Sequence, residues 1–245
     1  FLHGKSISFA LGDASMAYDN VHRNPQTAGM KLFRRHLIFL RPSIIVIYDE
    51  LEADHAAEWT WLIHSPFEIS LDDPSRKFSV ATTTAKCRVD QFGSSDLLIE
   101  LGTKFEPEPV NFRGIKGPDG KILEYKDQWH IYSRPQQKSE KFRYLSVFQI
   151  NFVGDASGFV EPETENGMVK LEGWEIIAEL DTEKKASFSI IHTERKKALI
   201  YNVDEVVLGE ETYQPEVPGS TLLLEIMGER EIQEEAIDVF PRGRN

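Results

Sequence analysis

With one cysteine, Cys87, among 245 residues, the chain has no internal disulfide and no multi-thiolate metal site to hold it together. No apolar run is long enough to cross a bilayer and no amino-terminal signal is present. The first residue is Phe1 rather than Met, the expectation for a mature form or an excised piece. Cations are scarce as well: 28 Lys and Arg stand against 40 Asp and Glu, and the net charge of −12 argues against general nucleic-acid binding. The seven histidines show no HxH or HExxH spacing, and there is no P-loop, dinucleotide fingerprint or GxSxG elbow. Nothing in the spacing asks for a metal or a cofactor, and none is expected.

What is present is apolar sequence in short pieces. At 40% hydrophobic content the chain can bury a substantial core without metal or disulfide support. The centre of that core is Phe33 to His64. Its middle segment, Ile44-Ile45-Val46-Ile47-Tyr48, is almost wholly β-branched, and such side chains fit a pleated surface better than a helix. A run of this kind suits a strand covered on both faces. Arg41-Pro42-Ser43 makes a tight break before it, since Pro lacks the N–H a ladder needs. Glu58 to His64 alternates, with Trp59, Trp61 and Ile63 sharing one face. Three segments this close are expected to pair as neighbouring antiparallel strands.

The rest of the chain reads the same way. Lys5 to Leu11 alternates and is broken by Gly12-Asp13; Ala14 to Gly29 reads as loop over most of its length. Strands are expected at Phe67–Leu71, Phe78–Thr84, Lys86–Phe92, Asp96–Leu101, Trp129–Ser133 and Phe142–Val153. Between them, Thr103 to Gln128 is irregular, and Gly117-Pro118-Asp119-Gly120 signals a projecting hairpin. Further strands follow at Met168–Leu171, Trp174–Leu180, Ala186–Thr193, Lys197–Asn202, Val206–Leu208 and Thr221–Ile226; Gln233 to Val239 is either strand or short helix. Many short strands and no repeat of about 20–50 residues point to an all-β fold, a large two-sheet antiparallel β-sandwich. Residues 1–204 form the sandwich domain, and 205–245 either complete it or make a small appended unit.

Charge is unevenly spread. Lys5, Arg23, Lys31, Arg34, Arg35 and Arg41 fall in an early region whose only acids before Asp49 are Asp13 and Asp19. Solvated strand faces account for this, and so does a basic face for an anionic ligand.

Four motifs then recur in order: Gly12-Asp13-Ala14-Ser15-Met16-Ala17-Tyr18; Arg35 to Pro42; Val46-Ile47-Tyr48-Asp49-Glu50-Leu51; and Trp61-Leu62-Ile63-His64. Their series resembles the β-sheet portion of the heparinase II/III-like polysaccharide lyases. The resemblance implies a supersandwich that follows a helical toroid in the same parent chain, with an acidic, uronate-containing polysaccharide in the cleft between them. It implies β-elimination chemistry and a bacterial periplasmic or extracellular setting. The family's catalytic and metal residues lie on the toroid or before the first motif, so none is carried over to this chain. The isolated chain is expected to form a cleft wall and to be inactive alone.

Substrate-contacting candidates are Tyr18, His22, Arg23, Arg35, His64 and Trp129. Tyr18 to Arg23 holds the residue types a lyase needs, but also reads as an ordered loop near the cleft. His64, closing an apolar strand, is either a hydrogen-bonded structural histidine or a site residue. Trp129 follows the irregular interval and is the best sugar-stacking candidate, although aromatic residues in strands also build cores. Asp49 is expected to pair with Arg34 or Arg35, because buried charges need partners. A free-standing carbohydrate-binding or adhesion sandwich is the alternative to the lyase part, and a mutarotase-like sugar-modifying enzyme is a third reading.

Overall fold

Alternation and β-branching become extended backbone along nearly the whole chain. The computed structural model describes residues 1–18, 29–73, 76–104, 113–124, 127–154, 158–165, 167–227 and 229–235. Among them there is no α-helix, only a single 3-10 turn at Ser15–Ala17. The strands of the first half are β1 (Leu2–His3), β2 (Ile7–Asp13), β3 (Met30–Leu40), β4 (Ile44–Ala57), β5 (Trp61–Ser65), β6 (Ile69–Asp73), β7 (Lys77–Ala81), β8 (Ala85–Gly93), β9 (Leu97–Gly102) and β10 (Trp129–Pro135). Those of the second half are β11 (Ser139–Phe152), β12 (Glu163–Glu165), β13 (Met168–Leu171), β14 (Trp174–Ala178), β15 (Phe188–His192), β16 (Lys197–Tyr201), β17 (Val206–Leu208), β18 (Glu211–Tyr213), β19 (Thr221–Met227) and β20 (Glu229–Glu235).

Two large sheets carry the sandwich. One has eight strands in the order β1-β2-β3-β4-β11-β8-β7-β6, and the other has seven, β12-β13-β14-β15-β16-β19-β20, all antiparallel. Ile44, Val46 and Tyr48 of β4 point between these sheets, where they join Ile38, Leu40, Trp174, Ile176, Phe188 and Leu199 in one buried cluster. Ile45 and Ile47 point the other way and pack beside Trp61, Ile131 and Phe148 in a second cluster. The β-branched run is therefore covered on both faces, and a third layer supplies the second cover: the three-stranded sheet β5-β10-β9. The hairpin β17–β18 caps the outside of the seven-stranded sheet through Val206, Leu208 and Tyr213, which pack on Ile200, Leu222 and Leu224.

Two expectations need correction, and one open alternative is decided. β3 and β4 pair as read, but Trp61–Ser65 does not join them; it pairs with β10 instead. The free edge of β4 is taken by β11, whose apolar face continues the sheet, so the Trp-bearing segment folds over the sheet and buries its indoles against the outer face. Gly12-Asp13 does not end β2: Gly12 pairs with Arg35 and Asp13 with Arg34 in the ladder to β3. At the far end, Gln233 to Glu235 are strand, held by the ladder to β19, while residues 236–239 lie outside the described residues. In the irregular interval the described part is a small turn, with the Gly117 N–H donating to Lys121 O at 2.8 Å and Lys116 bridging to Ile122.

Candidate functional site: an aromatic cavity on the outer face of the eight-stranded sheet

The end of β2 organises one side of the site. Asp13 Oδ1 accepts hydrogen bonds from the Ser15 N–H at 3.0 Å and the Ser15 hydroxyl at 2.6 Å, while Oδ2 accepts from Arg34 Nε at 3.0 Å. Burial pushes the Asp13 carboxyl up, but the Ser15 and Arg34 hydrogen bonds outweigh it and hold the group below its ordinary range. Ser15 Oγ in turn accepts the Phe33 N–H at 2.9 Å, which ties the 3-10 turn to β3. Tyr18 follows directly, its ring centroid 4.9 Å from that of Phe33.

Strand alternation sends the next two arginines to opposite faces. Arg34 turns toward the seven-stranded sheet, where it also lies near Tyr201. Arg35 turns outward and forks onto Asp49, with Nε donating to Oδ1 at 2.7 Å and Nη2 to Oδ2 at 2.8 Å. The pair is asymmetric: the arginine side chain is 43% exposed and the carboxylate 1%. Burial is the dominant influence on Asp49 and raises its pKa, opposed by Arg35 and, more weakly, by Trp61. The Trp61 indole N–H makes no hydrogen bond of normal geometry, yet lies close enough to favour the charged carboxylate.

The wall continues with Trp59, Trp61 and Tyr144. Trp59 Nε1 donates to Ser139 O at 3.0 Å, and the Tyr144 hydroxyl lies 3.2 Å from Trp59 O and 3.1 Å from Ser133 O, so its one proton is shared between two carbonyls. Tyr144 is the ladder partner of Asp49, which is why the wall stands over the ion pair. These groups line a cavity of about 270 Å³ together with Tyr18, Phe33 and Arg35. Aromatic faces and one part-exposed guanidinium suit it to hold a flat-sided polar molecule. Among the described residues no three His, Cys, Asp or Glu side chains are placed to share a metal ion.

Of the six substrate-contacting candidates, Tyr18 and Arg35 meet at this cavity. His22 and Arg23 lie outside the described residues. His64 sits on the outward face of the three-stranded sheet, its ring centroid 5.7 Å from that of His130; burial and the neighbouring imidazole both lower its pKa. Trp129 packs against the inner cluster rather than lining the cavity. Among the described early cations, Lys31, Arg34, Arg35 and Arg41 are each engaged by a neighbouring group. Arg34 and Arg35 each hold an acid, Lys31 lies 3.6 Å from Glu52, and Arg41 donates to Ser8 Oγ at 2.8 Å and Gly4 O at 3.3 Å. Phe33 and Tyr144 were missed as site residues; only the strand register, which sequence spacing does not carry, brings Tyr144 beside Asp49.

The fold and site thus define an antiparallel β-sandwich with a third sheet layer and an aromatic, arginine-floored cavity between the first and third layers. Against known proteins, no family model matches the chain and no curated protein does. Among solved structures it is similar to a heparan sulfate lyase of Pedobacter heparinus, with a TM-score of 0.47 and 9% identity over 89% of this chain. It is also similar to a heparinase III, with a TM-score of 0.46 and 15% identity over 75% of this chain. The chain spans about a quarter of the length of these structures, 27% and 26% respectively.

Proposed function

We propose that this chain is the β-sandwich part of a polysaccharide lyase of the heparinase II/III-like kind, and that its cavity forms one wall of a cleft for an acidic glycan. One observation carries the reading: each of the four motifs behind the sequence resemblance sends at least one residue to the same cavity. Tyr18 comes from the first, Arg35 from the second, Asp49 and Leu51 from the third and Trp61 from the fourth. A purely architectural role would leave such positions scattered through the core. Arg35 and Asp49 are committed to each other rather than to a substrate proton, and in this reading the groups that run the elimination belong to the rest of the parent chain. Its partners are the glycan and a helical toroid of the parent chain, in a periplasmic or extracellular setting.

The test is an array of acidic and neutral polysaccharides probed with the intact chain and with Tyr18→Ala. Retention of an acidic polymer that the variant loses supports the wall. Equal retention by both proteins, or retention of nothing, overturns it. Formation of unsaturated uronate by the chain alone, followed by ultraviolet absorbance, would show that the chemistry lies here instead.

A further inference from the structure

Arg35 is the only described Lys or Arg lining the cavity, and it is not a free cation. Its Nε and Nη2 are spent on both oxygens of Asp49, which is the geometry by which an arginine would otherwise grip a ligand carboxylate. Asp49 is 1% exposed at the inner end of that pair. The rim groups are paired as well: Glu58 Oε1 lies 3.4 Å from Arg134, and His55 Nδ1 lies 2.7 Å from an Asp54 oxygen. A ligand anion placed against Arg35 would therefore also face the Asp49 carboxylate behind it, and the two charges largely cancel. What Arg35 still offers is single N–H donors on its exposed edge, suited to a hydroxyl or carbonyl oxygen.

The walls point the same way. Tyr18 is 39% exposed and leans on Phe33, while Trp59 and Trp61 are 5% exposed and held in place from behind. The two indoles therefore close the back of the cavity, and the open Tyr18 ring is the face that can cover the C–H side of a sugar irrespective of its charge. The volume of about 270 Å³ lies at the small end of ligand sites, enough for one ring and not for two.

We infer that the cavity is a subsite for a single uncharged pyranose, so that a glycan bound along this wall presents a neutral sugar unit here and its acidic units elsewhere. The inference rests on the proposed glycan-cleft reading and narrows it, since an acidic polymer whose every unit is charged would not seat a ring in this cavity.

Matched sugars that differ only at carbon 6 test it: the methyl glycosides of glucose, galactose and mannose against the corresponding methyl uronides. Each is titrated into the intact chain by ligand-observed NMR. In at least one pair the neutral member is expected to bind at least about tenfold more tightly than its uronide. Its affinity should change less than about twofold between 0.05 and 0.5 M salt, because no net charge is being screened. Tyr18→Ala, at an exposed position, and Phe33→Leu, which keeps an apolar side chain, should each remove the neutral binding while leaving the thermal melt in place. A uronide that binds more tightly, with affinity falling as salt rises, overturns the inference. So does failure of all six sugars to bind. The polysaccharide array separates the two readings. Loss of an acidic polymer on Tyr18→Ala together with a uronide preference keeps the cleft wall and refutes the neutral subsite. A neutral preference with no polymer retained does the reverse.

Discussion

Glu225 offers the sharpest test of how the two large sheets are joined. It sits at the inner edge of β19, 1% exposed, and its carboxylate reaches across to the chain entering β2. Oε2 accepts the Lys5 N–H at 2.7 Å, and Oε1 accepts those of Ser6 and Ile7 at 2.7 and 2.9 Å. Lys197, its ladder neighbour on β16, hydrogen-bonds the Ser6 hydroxyl. Glu225→Gln keeps the shape and one oxygen but turns an amide N–H₂ toward a backbone N–H. Hydrogen bonds to a charged group are worth about 1.5–3 kcal/mol each, and an orphaned buried donor costs about 1–3 kcal/mol. One bond lost outright and two deprived of charge assistance come to about 3–5 kcal/mol. With a urea slope of about 3 kcal/mol/M, the midpoint falls by about 1–1.7 M. The amides of Lys5, Ser6 and Ile7 should lose hydrogen-exchange protection at the same time. Gln233→Ala, which removes exposed contacts to the His3 N–H and carbonyl at 3.1 and 2.9 Å, is the control and should cost about 1 kcal/mol or less. A Glu225→Gln midpoint within about 0.2 M of the parent, at unchanged slope, would refute the idea that this carboxylate joins the sheets.

Arg35→Met leaves Asp49 buried without its partner and is expected to cost about 2–4 kcal/mol at pH 7, below the full cost of a wholly buried pair because Arg35 is part-exposed. Since the folded Asp49 pKa is raised, its contribution is complete below the ordinary carboxylate pKa and declines as pH rises through the folded value. Losing Arg35 raises it further, so urea midpoints should show a smaller deficit at pH 4 than at pH 7; an equal deficit at both would contradict this. Gly102→Ala would place a Cβ 2.0 Å from His130 Nε2, in a ring that is 1% exposed and tied to Gln128 O at 3.0 Å. It should cost about 1–3 kcal/mol or more in a thermal melt. Gly12→Ala, whose nearest neighbour is 4.0 Å away, should cost about 0.5 kcal/mol or less, and comparable losses at the two sites would count against the steric account. Burial pushes the Cys87 thiol up to about 11, so only about a thousandth is thiolate at pH 8. Labelling by a disulfide reagent should be slow in the native chain and fast in urea; equal rates would place the thiol at the surface.

Chemical character along the chain was enough for the elements. β-Branching in Ile44 to Tyr48 and alternation in Phe142 to Phe152 produced the two long central strands, and those are local properties that neighbours only reinforce. The Asp49–Arg35 pair was also legible, because a charge following a buried run needs a partner and few cations were within reach. The Trp-bearing segment was misplaced because its alternating face states only that it must be covered, and either the next strand position or the layer above satisfies that.

The sequence by itself determined that this protein is all-β, that β3 and β4 pair through the short turn between them, and that Asp49 would be held by an arginine. Only the tertiary structure decided which side of β3 each arginine serves, that Tyr144 stands beside Asp49, and that residues from four separate motifs share one cavity. Strand character follows from side chains within a few residues of each other, whereas register and layer are settled by contacts between segments as distant as Asp49 and Tyr144, where many sequence-compatible pairings compete and burial selects one.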